Sequence, residues 1–233
     1  RFHPLAGGPF EAMSQNELSL GQFHEISVST DNLAESLQFY ELMGFATNRV
    51  EPVWPHPYAV VSLGNLVIGL HEYRFPSPSI TCVHRDLTDA LESYREAGAV
   101  IAFAKTEPGQ FKEFGFRDPA GHMVTLLERT THLADAVDQN GSSRTLGRFA
   151  GFSLPSAAPE ISTAFWRALG ATPLVMASVD SRAWPAALLD AAGLTIGIHD
   201  EVWLDKPALV FQRAGAVERT IVESPEGARL VVI

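Results

Sequence analysis

Residues 64–72 read GNLVIGLHE and residues 193–200 read GLTIGIHD, so the pattern Leu-x-Ile-Gly-apolar-His-acid is written twice in one chain. The match extends on both sides and keeps its order. FYELMG pairs with FWRALG, Trp54-Pro55 with Trp184-Pro185, and DPAGHMVTLL with SPEGARLVVI. Collinear self-similarity of this kind marks an internal duplication. The repeated phrase then reads as one strand of a repeated module, with His71 and His199 at equivalent ends.

The rest of each copy fills in around that strand. FHEISVS (23–29) alternates like a half-buried strand, with Ile26 and Val28 on one face and Glu25, Ser27 and Ser29 on the other. His24 shares the parity of Ile26 and Val28, which places it under the covering helix unless a bulge intervenes. Asn32-Leu33-Ala34-Glu35 resembles a capping box, Leu33, Leu37, Tyr40 and Met43 form an apolar stripe, and Gly44 suits a C-terminal cap. FATNRV, YAVVSL and LVIGLHE follow as strands, giving β-α-β-β-β. The order restarts with SITCV, a helix in DLTDALESYREAG, and strands closing on FGFRDPAGHMVTLLE. Residues 13–130 thus hold two modules. Residues 131–148 read as an exposed linker, and 149–233 repeat the scheme with an abbreviated last module. RFHPLAGGPFEA precedes a start-like Met13, so residues 1–12 are set aside as added sequence.

Several functions are excluded early. The chain has 17 Lys plus Arg against 27 Asp plus Glu and no basic run, which argues against nucleic acid or an anionic membrane as partner. No stretch reaches the roughly 18 apolar residues that span a bilayer, and a cytoplasmic protein is expected. The single cysteine, Cys82, lies in the apolar run SITCV and reads as a buried structural thiol. No G-x-S-x-G, P-loop, G-x-G-x-x-G or H-E-x-x-H is present.

FHEISVSTDNLAESLQFYELMGF and FRDPAGHMVTLLE resemble the glyoxalase, bleomycin-resistance and extradiol dioxygenase superfamily, the vicinal oxygen chelate proteins. The resemblance implies an α+β fold: tandem βαβββ modules forming curled, cup-like mixed sheets with helices on the outer faces. It also implies, in metal-dependent members, divalent-metal ligands on the first and fourth strands of each module, where an open-sided ion acts as a Lewis acid. At those positions this chain has Gly69, Ser79 and Thr125, with Glu25 as the first-strand residue facing the cup. In the second half they are Ala150 or Gly151, Gly197, the region of Pro207, and Val231. No metal is therefore expected at the usual site and no cofactor is assigned, although a divalent metal stays open.

The remaining polar residues of the cup are the candidates for a ligand pocket: Glu25, Ser27, His56, Tyr58, His71, Thr81 and Thr125. Glu25 and His71 are the one acid and imidazole pair that parity sends into a single cavity. His71 suits a general base or a hydrogen-bond donor; alternatively, His71 and His199 both close a strand end against backbone carbonyls. WPHPY (54–58) supplies an aromatic lip, in which His56 and Tyr58 have no counterpart in the second half. His122 reads as a turn residue, and His84 and Asp86 as the capping region of the second helix. The expectation is a metal-free binder of a small organic molecule, with monomer favoured over dimer. Two alternatives stand beside it: a metal-dependent lyase or dioxygenase with an atypical ligand set, and a scaffold whose concave faces are filled.

Overall fold

A computed structural model describes residues 18–132, 141–174, 187–216 and 218–233. Residues 1–12, the centre of the 131–148 segment and the Trp184-Pro185 pair lie outside the described residues. The first half runs β1 (Gln22–Ser29), α1 (Leu33–Leu42), β2 (Ala46–Asn48), β3 (Tyr58–Leu63), β4 (Leu66–His71), β5 (Ser79–Val83), α2 (Leu87–Glu96), β6 (Ile101–Lys105), β7 (Glu113–Arg117) and β8 (Met123–Leu127). The second runs β9 (Arg148–Pro155), α3 (Pro159–Ala168), β10 (Thr172–Pro173), β11 (Ala187–Ala191), β12 (Leu194–His199), a 3-10 turn (Val202–Leu204), β13 (Ala208–Gln212), β14 (Thr220–Glu223) and β15 (Arg229–Val232).

The order in the first sheet is β2-β3-β4-β1-β5-β8-β7-β6, and in the second β10-β11-β12-β9-β13-β15-β14. Each module pairs its first strand in parallel with its last, as β1 with β4 and β9 with β12. Two modules then join through their first strands, antiparallel, as β1 with β5 and β9 with β13. The result is the α+β architecture of tandem, curled mixed sheets. The repeated phrase is the closing strand, β4 and β12, of the first module in each half. Between β13 and β14 no helix occurs among the described residues, and the second sheet has seven strands against eight in the first.

Local signals explain the helices. Asn32 caps α1 by accepting from the Glu35 backbone N–H at 3.3 Å. Asp86 stands at the N-cap of α2 but makes no side-chain capping bond; its own N–H donates to His84 Nδ1 at 3.3 Å. The helix-covered faces of both sheets share one apolar core, in which Phe45 meets Phe211 and Phe116 meets Phe165 edge-on or tilted. Fully buried side chains there, such as Ile68, Leu126 and Ile196, each contribute roughly 1.5–3 kcal/mol. Cys82 lies in this core, where burial lifts its thiol to about 12, so it is a packing residue.

Paired polar clasps fasten one half to the other. Tyr40 and Ser36 on α1 both donate to the Glu226 carboxylate, each at 2.8 Å. Trp166 on α3, the counterpart of Tyr40 in FYELMG and FWRALG, donates its indole N–H to Asp118 at 3.2 Å. His122 belongs to the same joint, with its Nε2 2.7 Å from the Pro155 carbonyl, so it ties the halves together beyond shaping its turn.

Candidate functional site

The concave face of the first sheet is built by strand parity. Register aligns Glu25 on β1 with Thr81 on β5, and Thr81 with Thr125 on β8, so three polar side chains form one row across the cup. Ser27 pairs with Gly69 in the next row. Gly69 is glycine for a steric reason: a Cβ there would lie 2.1 Å from Glu25 Oε1. The missing side chain is the space that the Glu25 carboxylate fills.

That carboxylate is 1% exposed and fully engaged. Ser27 Oγ donates to Oε1 at 2.7 Å, His71 Nε2 lies 3.1 Å from Oε1, and Tyr58 donates to Oε2 at 2.6 Å. An ionised carboxylate only accepts, so His71 carries its hydrogen on Nε2. Its Nδ1 then accepts from His56 Nε2, 3.0 Å away. Because Ser27 gives its proton to Glu25, Thr81 Oγ1 must donate to Ser27 Oγ across their 2.7 Å contact. The network is a directed chain from His56 through His71 to Glu25.

Electrostatics follow from that chain. Burial works to raise the Glu25 carboxyl, but the hydrogen bond and charge of His71, the charge of His24 and the Tyr58 hydrogen bond outweigh it and hold it at about 2. Burial, followed by the Glu25 charge and hydrogen bond, pushes the Tyr58 phenol up, so it stays a donor. Burial, with His71 and Lys105 nearby, lowers His56 to about 4, which leaves its imidazole neutral at physiological pH.

A cavity of about 400 Å³ opens in front of this network. Glu25, Ser27, His56, His71, Thr81 and Thr125, all candidates from sequence, line it. Tyr58 does not line it and stands behind Glu25 as its donor. The walls are largely apolar. Trp54 and Tyr73 both stack on His56, with ring centres 5.8 Å and 5.0 Å from its own. Phe103, Met123 and Leu127 complete the floor, and a Lys105–Glu113 pair at 2.6 Å closes one side. Sequence reading missed these residues. Met123 and Leu127 share the parity of Thr125 on β8, a signal that could have found them; Tyr73 and Phe103 carry none.

His24 departs from its expected place. The register of β1 on β5 shifts between Phe23 and Glu25, so a bulge inserts His24 as an extra residue. Phe23 takes the core-facing position beside Ile26 and Val28. His24 stacks instead on His132, with Nε2 2.8 Å from Thr131 Oγ1.

The second sheet repeats the geometry with other chemistry. Gly151 replaces Glu25, Val210 replaces Thr81 and Val231 replaces Thr125 at matched register positions. His199 keeps the place of His71, accepts the Glu201 backbone N–H at Nδ1 (3.1 Å) and lies 2.6 Å from Ser153 Oγ through Nε2. Neither His71 nor His199 bonds a backbone carbonyl through its ring. Leu204 of the 3-10 turn, with Trp203 beside it, packs onto Ala208, Val210 and Val231.

The metal positions implied by the fold can be tested on these residues. In the first cup they are Glu25, Gly69, Ser79 and Thr125. Gly69 has no ligand atom, and the hydroxyls of Ser79 and Thr125 bond each other at 2.9 Å. In the second cup glycine and aliphatic residues stand at the equivalent places. One carboxylate does not make a divalent-metal site, so these positions do not fit the group.

No protein-family model and no curated protein sequence matches the chain. Solved structures do. A variant of homoprotocatechuate 2,3-dioxygenase from Brevibacterium fuscum aligns with TM-score 0.63 at 12% identity, covering 92% of this chain and 71% of that one. A room-temperature structure of an extradiol ring-cleaving dioxygenase from B. fuscum aligns with TM-score 0.62 at 12% identity over 92% and 72%. A catechol 2,3-dioxygenase aligns with TM-score 0.56 at 12% identity over 92% and 87%. The chain therefore has the fold of these dioxygenase structures. Among the described residues no helix is long and apolar enough to cross a membrane.

Proposed function

We propose that the first cup binds a small, planar organic molecule and offers it an acid–base face made by His56 and His71, with no metal at the positions the fold uses elsewhere. The observation that carries this reading is the hydrogen-bonded chain from His56 to His71 to Glu25, which ends in an apolar cavity of about 400 Å³. His56 is the half-buried end of the chain. Its Nε2–H is committed to His71, so Nδ1 is the nitrogen left to take a proton from a bound group. Burial, with His71 and Lys105 nearby, disfavours the imidazolium, so His56 meets a ligand as a neutral imidazole whose ring is oriented through His71 by the Glu25 carboxylate, and it serves as a base only towards an acidic group.

The dioxygenase chemistry named for the structures of like fold is the rival reading. It draws on fold alone, and Gly69, Ser79 and Thr125 do not supply its ligands. Because both halves cover their helix-side faces within one chain, we take the working unit to be a monomer, which sedimentation tests.

The experiment is a thermal-shift panel of planar aromatic acids, phenols and nitrogen heterocycles on the wild type and on Thr125→Phe, which fills the floor of the cup. At least one compound should raise the melting temperature of the wild type and none that of the variant; a ligand at 100 times its Kd adds about 2.7 kcal/mol. A wild type that no compound stabilises would refute the reading.

A further inference from the structure

We propose that the chain holds one divalent transition-metal ion, zinc by donor chemistry, between His24, Glu25 and His132, on the side of the Glu25 carboxylate away from the cup. The three residues come from the bulge of β1 and from the segment after β8, where His132 bridges to Val50. Their ligating atoms all lie within 4.8 Å of one another. Glu25 Oε2 is 4.0 Å from His24 Nε2 and 3.8 Å from His132 Nε2, and the side chains are 1%, 4% and 6% exposed respectively. This site is separate from the cup: Oε1 of Glu25 serves Ser27 and His71, while Oε2 faces the histidine pair and keeps a second lone pair for the Tyr58 hydroxyl at 2.6 Å.

The independent observation is His132. Both of its ring nitrogens are buried and have no hydrogen-bond partner, and the only other such side-chain atom among the described residues is Trp54 Nε1. A buried polar atom without a partner costs about 1–3 kcal/mol, so His132 Nε2, the ring nitrogen 3.8 Å from Glu25, calls for an occupant. In the plane of the three atoms the shortest equidistant approach is roughly 2.4 Å, so the ligands need draw in by only a few tenths of an ångström to reach the 2.0–2.2 Å of zinc bonds to nitrogen and oxygen. Two imidazoles and one carboxylate are a zinc-type donor set; calcium and magnesium take six or more oxygens.

Loading has two structural consequences. The rings of His24 and His132 now stack 4.1 Å apart with planes 12° from parallel, and they must fan apart to aim both lone pairs at one ion. The ion also displaces the Thr131 N–H from His24 Nε2 (3.2 Å), while Thr131 Oγ1, 2.8 Å from that nitrogen, is the nearest further oxygen.

The test uses full-length protein purified without metal affinity, stripped with chelator, and titrated with Zn²⁺ against a chromophoric competitor. The wild type should bind one Zn²⁺ per chain, His132→Gln and His24→Gln should lose at least tenfold in affinity, and His199→Gln, in the second sheet, should keep wild-type affinity. A wild type that takes up no Zn²⁺ overturns the proposal, and so does His132→Gln that binds as the wild type does. Should a variant fail to fold, ¹⁵N histidine resonances of the wild type decide. Zn²⁺-induced shifts largest at His24 and His132 with His199 unmoved support the site, and shifts at His71 and His56 alone overturn it. The proposed ligand binding in the cup does not depend on this ion, and a failed zinc titration leaves the thermal-shift panel unaffected.

Discussion

The two cups of the chain share a backbone and differ in what fills it. Ser27 and Ser153, Gly69 and Gly197, and His71 and His199 occupy matched positions in the same strand register. Around them, Glu25, Ser79, Thr81 and Thr125 in the first cup become Gly151, Ala208, Val210 and Val231 in the second. The polar row keeps a hydrogen-bonded network and an open cavity; the apolar row takes Leu204 and Trp203 as packing. A duplicated sheet can thus become a site or a piece of core through four side chains, with the pairing of its central strands unchanged. His199 shows the difference at one residue: with Gly151 in place of a carboxylate, its Nε2 settles on Ser153.

The comparison can be broken by substitution in either cup. Glu25→Ala should cost most, about 3–5 kcal/mol in chemical denaturation, because His71, Tyr58 and Ser27 lose a buried charged acceptor together. Leu204→Ala should cost about 2–4 kcal/mol by opening a void over Val210 and Val231, and should leave ligand binding in the first cup unchanged. Loss of that binding would mean that the second cup is the working one. Ser153→Ala should cost about 1–2 kcal/mol, the value of one buried hydrogen bond to His199. The smallest effect concerns pH. His56 in the folded chain titrates at about 4 against an ordinary 6.5, so between those values the unfolded chain binds more protons. Its contribution to stability is complete above pH 6.5 and is lost as pH falls towards 4. His56→Asn should flatten the stability profile over that window, measured by urea midpoints.

Much of this arrangement was legible in the chain. The repeated phrase and its collinear partners exposed the duplication, and period-two alternation in FHEISVS sent Glu25 and Ser27 into the cup. Glycine at 69 was read as a lost ligand; its positive role, making room for the Glu25 carboxylate, depends on a cross-strand contact that one-dimensional parity does not contain. The bulge at His24 was named as a condition, but its direction follows from packing of Phe23 against the core and from Thr131 and His132, which lie more than a hundred residues away. The lip was read from WPHPY, while Tyr73 and Phe103 joined it through curvature of the sheet. Trp203 and Leu204 carry no signal in the sequence, because the cup they fill is formed by strands distant in the chain.

The most direct measurement is a methyl-resolved NMR titration with the strongest compound from the thermal-shift panel. Methyl groups of Thr81, Met123, Thr125 and Leu127 should shift with a common saturating profile, and those of Leu204, Val210 and Val231 should stay in place. Shifts concentrated on Leu204, Val210 and Val231, or spread equally over both sets, would contradict the assignment of the first cup as the site and the second as core.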